Sequence, residues 1–187
     1  QKAVAFIQQH YGIRCTAEDL YSERDQNFYI ISENGCEYVL KVSNPAEDQS
    51  ALQMQIDCTE YISDKDKDLN IPLTIKSTSG EDIITLDRDG STYYARMVTF
   101  VSGIFLKDYA QSEDMLFNLG AFMARLSRAM KGFEHPAANR KFAWNLSQDD
   151  FIQHFSQELK DDEERDIVRF FLHQARAYHM DHGKDLP

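Results

Sequence analysis

Apolar and polar positions recur along this chain with two different periods, and the place where the period changes divides it. Near the N-terminus Val4, Ile7 and Tyr11 lie three and four residues apart, which predicts an amphipathic helix from Lys2 to about Tyr11, ended by Gly12. After Thr16 the segment Asp19-Leu20-Tyr21 begins an extended run, interrupted by Ser22-Glu23-Arg24-Asp25-Gln26 and resumed by Asn27-Phe28-Tyr29-Ile30-Ile31-Ser32. Asn34-Gly35 is a hairpin turn signal leading into Glu37 to Val42, where Tyr38, Leu40 and Val42 alternate with Val39 and Lys41. Three consecutive antiparallel strands are expected, with Lys41 pointing away from Leu40.

A helix start is marked next. Asn44 reads as an N-cap, Pro45 as the first helical residue, where no N–H is needed, and Glu47 as the acid of a capping box. The helix is expected to run from Pro45 to about Ile62, with Leu52, Ile56 and Thr59 on one face and Met54, Cys58 and Tyr61 beside it. The alternating charges Asp64 to Asp68 read as a solvated loop. Two short strands, Leu73 to Lys76 and Asp82 to Leu86, are separated by Ser79-Gly80, and Asp89-Gly90 turns the chain into a longer strand from Thr92 to Phe100.

Beyond Val101-Ser102-Gly103 the period becomes helical throughout. Met115, Leu119, Phe122, Leu126 and Met130 step by four and three as a buried stripe starting after Ser112. Phe133 to Asn145 is a connector holding Pro136 and Trp144, the latter read as a core aromatic. Ser147 caps a helix with Phe151, Ile152 and Phe155, and Asp161 opens a last helix with Ile167, Val168, Phe171, Leu172 and Ala175. The expected class is α+β: a β-rich part at 1–100 with one main helix, a hinge at 101–103, and a helical part at 104–187.

Composition narrows the function. At 187 residues, 42% hydrophobic and 27% charged, the chain can bury one good core or two small ones. A net charge of −11 argues against nucleic acid or an anionic membrane surface as partner, since both call for basic patches, and is compatible with a small cationic substrate. No apolar run approaches the roughly 18 residues of a membrane span, and no signal segment opens the chain. Cys15, Cys36 and Cys58 are odd in number and lack metal or redox spacing, so they read as reduced thiols of a cytoplasmic protein. The start at Gln1 and the end at Asp185-Leu186-Pro187 lead us to expect a piece of a longer protein.

Taken in order, S-E-R-D-Q-N-F at Ser22 to Phe28, Y-V-L-K-V-S-N-P-A-E at Tyr38 to Glu47, R-M-V-T-F-V-S-G at Arg96 to Gly103 and F-A-W-N-L at Phe142 to Leu146 resemble the aminoglycoside phosphotransferase and choline kinase group of protein-kinase-like enzymes, in particular its hydroxylysine-kinase-like subgroup. The resemblance implies a two-lobe protein-kinase-like fold: an antiparallel sheet lobe with one main helix, then the first part of a helical lobe. It implies ATP and Mg2+ as cofactors, an amino alcohol, hydroxylated amino acid or aminoglycoside-like acceptor, and the possibility of a fused downstream domain. Ser22 to Asn27 would lie over the phosphates, here without the glycines of a protein-kinase loop, so that Ser22 and Asn27 must serve through their side chains. Lys41 would contact the α- and β-phosphates. Its partner on the following helix is open between Gln55, where the family glutamate falls, and the carboxylates of Asp57 and Glu60. Val98 would shape the back of an adenine pocket, with the Thr99 carbonyl and Val101 N–H bonding the purine edge. The competing reading of Lys41 is a solvated lysine on an edge strand, which discourages further pairing.

One absence limits the chemistry. Phosphoryl transfer in this fold requires a catalytic aspartate and a following asparagine in an H-x-D-x(4)-N loop, and a further acid for Mg2+. The 187 residues contain no such loop. His182-Gly183-Lys184-Asp185 reads as the approach to it, and Asp87-Arg88-Asp89 as a hairpin turn, so the catalytic residues and metal ligands are expected beyond Pro187. Asp149, Asp150, Glu158, Asp161 and Asp162 are candidates for attracting an ammonium group, against the simpler reading of a solvated helix surface. The alternative to a kinase is a kinase-like module without chemistry that regulates or binds within a larger protein.

Overall fold

The computed structural model describes residues 1–140 and 149–182. Helix α1 (Lys2–Tyr11) ends at Gly12, whose φ of 67° supplies the left-handed cap that a residue with a Cβ adopts only under strain. Strands β1 (Cys15–Leu20), β2 (Gln26–Ser32) and β3 (Glu37–Val42) follow, then helix α2 (Gln49–Lys65), β4 (Thr74–Ile75), β5 (Ile84–Arg88) and β6 (Ser91–Thr99). The six strands form one antiparallel sheet in the order β1-β2-β3-β6-β4, with β5 also paired to β6. Lys41 is therefore on an interior strand, and the edge-strand reading of it is overturned.

Local chemistry accounts for most turns. In the β2–β3 hairpin the Gly35 N–H bonds the Ser32 carbonyl and the glycine sits at φ 82°, while the Asn34 side chain accepts from Ser32 Oγ and the Cys36 N–H. Asp89 and Gly90, at φ 53° and 77°, make the doubly left-handed turn that matches the twist of β5 and β6. The first extended run begins earlier than its apolar pattern suggested: β1 starts at Cys15, stops at Leu20, and leaves Tyr21 almost fully exposed outside it.

The start of α2 is the clearest correction. Asn44, Pro45 and Glu47 do not begin the helix. The Asn44 backbone N–H and side-chain amide both point at Asp25 Oδ1 (3.3 Å each), its own Oδ1 accepts from the Ala46 N–H (3.0 Å), and the Glu47 N–H bonds its carbonyl (3.1 Å). An asparagine bonding the backbone two residues on makes a turn as readily as a cap, and Pro45 suits that turn. The helix is capped instead by Asp48, which accepts from the Ser50 N–H at 2.7 Å.

The sheet is covered on both faces. Ile7 and Tyr11 of α1 pack with Ile30, Leu40, Ile84, Ala95 and Met97 on one face. On the other, Leu52 and Ile56 of α2 pack with Ile83 and Tyr94. Burying a leucine or isoleucine of that kind contributes about 1.5–3 kcal/mol, enough to dock α2 despite its modest amphipathicity. Farther along α2, Ile62 joins Leu69 and Ala129 of α3 (Glu113–Met130), with Phe122 and Leu126 against them. Ser112 caps α3 through the Met115 N–H, as its sequence suggested. The stripe on α3 is buried only in part: Phe122 and Leu126 pack in this cluster, while Leu119 and Met130 stay exposed. Nor is the charged run after α2 merely solvated: Asp66 takes a bidentate pair from Arg125, tying the end of α2 to α3 and holding the Asp66 carboxyl below its usual range.

The chain divides into two compact units, Gln1–Ala138 and Asn139–Pro187, so the expected hinge at 101–103 falls inside the first. The second holds α4 (Asp150–Phe155) and α5 (Asp162–His182). Within it Asp149 is engaged by Arg176 (2.6 and 2.9 Å), Asp161 accepts from the Glu163 N–H at the start of α5, and Asp162 pairs with Arg165. Three of the five acids named as candidates for attracting an ammonium group are thus engaged within the chain. Trp144, the F-A-W-N-L motif, the cap Ser147 and the stretch from Gly183 to Asp185 lie outside the described residues.

Candidate functional site

The face of the sheet that carries α2 presents two successive rows of side chains across three strands. In the first, Asn27 of β2, Lys41 of β3 and Arg96 of β6 are direct cross-strand neighbours. Directly opposed side chains have Cβ atoms roughly 5 Å apart, so these three groups share one small patch. In the second row, two residues farther along, Tyr29, Val39 and Val98 are paired in the same way. Two residues of strand separate the rows by about 7 Å. A polar, cationic row thus lies beside an apolar one, and Phe100, whose ring is 4.7 Å from that of Tyr29, extends the apolar side.

Electrostatics of the first row differ from expectation. Burial lowers the Lys41 pKa, the neighbouring Arg96 lowers it further, and Asp25 opposes both effects. Burial likewise works against the charge of Arg96, with Asp25 and Glu47 supporting it. None of the three residues considered on α2 partners Lys41. The side-chain oxygen of Gln55 accepts from Arg96 Nη2 at 2.5 Å, Asp57 accepts from Gln53 and lies 3.6 Å from His135, and Glu60 is exposed. The helix turns Gln55 toward β6 because Leu52 and Ile56, the residues flanking it, are the ones buried against that part of the sheet. The carboxylate Lys41 senses comes instead from Asp25, in the loop between β1 and β2.

The other expected residues fall at two ends of this face. Ser22 lines an open groove of about 540 Å³ with Asp25, Gln26, Ser43 and Asn44, beyond the end of β3 that carries Lys41. Val98 closes the apolar row from β6. The Thr99 N–H bonds the Leu73 carbonyl (2.8 Å), while the Leu73 N–H goes to Thr99 Oγ1 (3.0 Å) and so leaves the Thr99 carbonyl out of that exchange. The Phe100 N–H bonds the Glu37 carbonyl, and the Val101 N–H has no partner among the described residues. Two main-chain groups two residues apart are thereby left for a flat polar edge beside the apolar row.

Arg96, Asp25 and Ser43 join these residues on or beside the same face, beyond those expected from sequence. A signal for Arg96 was present: it is a lone cation within Tyr93-Tyr94-Ala95-Arg96-Met97-Val98, and strand parity sets it on the opposite face from Ala95 and Met97. For a metal, no group of three or more His, Cys, Asp or Glu side chains comes together among the described residues. The described residues therefore do not assemble a Mg2+ site.

A two-faced antiparallel sheet with a lysine on its central strand and a helix packed over it is the sheet-bearing part of a protein-kinase-like fold. The chain belongs to the phosphotransferase enzyme family, whose pattern matches residues 19–185. Among curated proteins it is 26% identical to hydroxylysine kinase of Mus musculus, over 89% of this chain and 49% of that protein, and 22% identical to hydroxylysine kinase of Danio rerio, over 93% and 52%. Among solved structures it is similar to an amicoumacin kinase in complex with AMP-PNP, Ca2+ and Ami (TM-score 0.68, 15% identity, 93% of this chain and 53% of that one). It is also similar to a microcompartment-associated aminopropanol kinase (TM-score 0.60, 16% identity, 79% and 46%). The chain spans about half the length of the relatives it matches. No helix among its described residues is long and apolar enough to cross a membrane.

Proposed function

We propose that this chain carries the nucleotide-gripping part of an ATP-dependent small-molecule kinase that phosphorylates a hydroxyl of an amino alcohol or hydroxylated amino acid. The observation that carries the reading is the pair of adjacent rows: Lys41 and Asn27 for the phosphates, and Tyr29, Val39 and Val98 for the base, in cross-strand register. Thr99 and Val101 offer the purine edge its two main-chain partners, Ser22 borders the phosphate end, and the segment 101–103 serves as the hinge. Relatives named for hydroxylysine and aminopropanol, each bearing an amine and a hydroxyl, support that acceptor class. A neighbour holding AMP-PNP and Ca2+ supports ATP with a divalent ion, for which Mg2+ is the proposed partner.

Without an H-x-D-x(4)-N loop, these 187 residues supply binding, and the reading assigns phosphoryl transfer to residues outside them. The same absence favours the second reading, a kinase-like module that binds without chemistry. Calorimetric titration with ATP, with and without Mg2+, tests the pocket: wild type is expected to bind, and Lys41→Ala to bind at least about tenfold more weakly, a buried charge-assisted contact being worth about 1.5–3 kcal/mol. Equal affinity in the two proteins would remove Lys41 from this role. Phosphorylation of hydroxylysine or aminopropanol by the longer protein would decide for the kinase over the module.

A further inference from the structure

The cationic row holds more positive charge than one phosphate-gripping lysine. Arg96 is only 8% exposed, and its terminal nitrogens reach Gln55 Oε1 at 2.5 Å and the Leu52 carbonyl at 3.4 Å. Its Nε, buried in the same place, has no hydrogen-bond partner among the described residues. Lys41 stands directly across from it, and neither cation forms an ion pair among the described residues. Two desolvated cations side by side repel, and although Asp25 and Glu47 act on them from a distance, burying them without a carboxylate in contact is unfavourable unless an anion completes the arrangement.

The surroundings repeat that incompleteness. Asp25, the acid both cations sense, has its Oδ1 engaged by the backbone and side-chain amides of Asn44. Asn27 Oδ1, beside Lys41 in the row, is buried and unpartnered among the described residues. So is Ser43 Oγ, 1% exposed and two residues after Lys41. The chain as a whole carries a net charge of −11, so a paired cation site is not a by-product of composition. Gln55 preserves the charge: its carbonyl oxygen orients the guanidinium as a glutamate would, yet adds no negative charge, and the full positive field is kept for a ligand.

We propose that Arg96 is a second phosphate-binding cation of this site, oriented by Gln55, and that Arg96 and Lys41 together seat the polyphosphate of the nucleotide. The proposal rests on the nucleotide-binding reading above and adds to it. Lys41 supplies a compact ammonium, and Arg96 offers the Nε–H donor on the planar edge that Gln55 holds in place.

The test measures affinities of the full 187-residue chain for ATP, inorganic tripolyphosphate and adenosine by calorimetry over a range of salt. Arg96→Met keeps side-chain length without charge, and Gln55→Glu keeps the orienting oxygen but adds a neutralising charge. Both variants are expected to bind ATP and tripolyphosphate about tenfold more weakly, with a shallower salt dependence, and to leave adenosine unchanged. Gln55→Glu should melt at or above the wild-type temperature, which keeps the test sound if Arg96→Met does not fold. Unchanged tripolyphosphate affinity in Gln55→Glu would overturn the proposal and leave Arg96 as a strut between sheet and helix. Failure of wild type to bind either ATP or tripolyphosphate would overturn the nucleotide reading as well, whereas wild-type binding with indifferent variants overturns the role of Arg96 alone.

Discussion

Replacing Tyr11 by phenylalanine isolates a single buried hydroxyl. Tyr11 closes α1, is 7% exposed against the sheet, and its hydroxyl has no hydrogen-bond partner among the described residues. Burial pushes its pKa from 10.0 up to about 12, against the Met97 backbone, which favours the phenolate and lowers it, and with a smaller upward push from the carboxylates of Asp82 and Glu81. The folded state thus holds this proton over a range in which the unfolded chain has lost it. A raised pKa contributes stability that is complete below 10.0, declines as pH rises, and is gone once pH passes about 12. Two pH units correspond to about 3 kcal/mol. At neutral pH the phenylalanine variant also escapes the desolvation of an unpartnered hydroxyl, worth about 1 kcal/mol or a Tm gain of about 2–4 °C for a chain of this size. The assay is urea unfolding of both proteins from pH 7 to 12, read as a difference so that other titrating groups cancel. Tyr11→Phe should be slightly more stable at pH 7, with its advantage widening above pH 10. Parallel curves from pH 9 to 12, or a variant less stable at pH 7, would refute the buried, unpartnered hydroxyl.

Other substitutions probe the site and its scaffold. Lys41→Met should stabilise the ligand-free chain: two unit charges roughly 6 Å apart at an effective dielectric near 20 repel by about 3 kcal/mol, and attraction from Asp25 with solvent screening leaves about 1 kcal/mol, visible as a Tm rise of a few degrees in calorimetry. A lower Tm would mean that Lys41 holds the fold together rather than waiting for an anion. Ile56→Ala, at a position 1% exposed between α2 and the sheet, should lower unfolding free energy by about 2–5 kcal/mol in urea and weaken ATP binding, because Gln55 is its neighbour on α2. Gly90→Ala tests backbone conformation alone, since an added Cβ meets nothing within 4 Å but φ is 77°. A loss of about 1–2 kcal/mol in denaturant melts is expected, and ATP affinity should not change.

How far the site was legible depended on the range of the forces involved. The period-two run around Lys41, the turns at Asn34-Gly35 and Asp89-Gly90, and the Ser112 cap are settled by side chains within a few residues of one another, so the strands, their order along the chain and the orientation of Lys41 could be read directly. The start of α2 could not, because the cap signature at Asn44 competed with a turn, and the bond to Asp25, nineteen residues away, favoured the turn. The same limit applied to the partner of Lys41. Counting along α2 offered Gln55, Asp57 and Glu60, but which side chain meets which strand depends on how the helix is rotated when Leu52 and Ile56 bury themselves. That rotation gave Gln55 to Arg96.

By itself, then, the order of residues determined three antiparallel strands with a lysine pointing away from Leu40, since strand periodicity and turn preference are local properties. Only the tertiary structure decided that β3 and β6 are adjacent, and hence that Lys41 and Arg96 stand together with no carboxylate between them. Strand adjacency across more than fifty residues is selected by burial of both sheet faces at once, a condition no short stretch of the chain encodes.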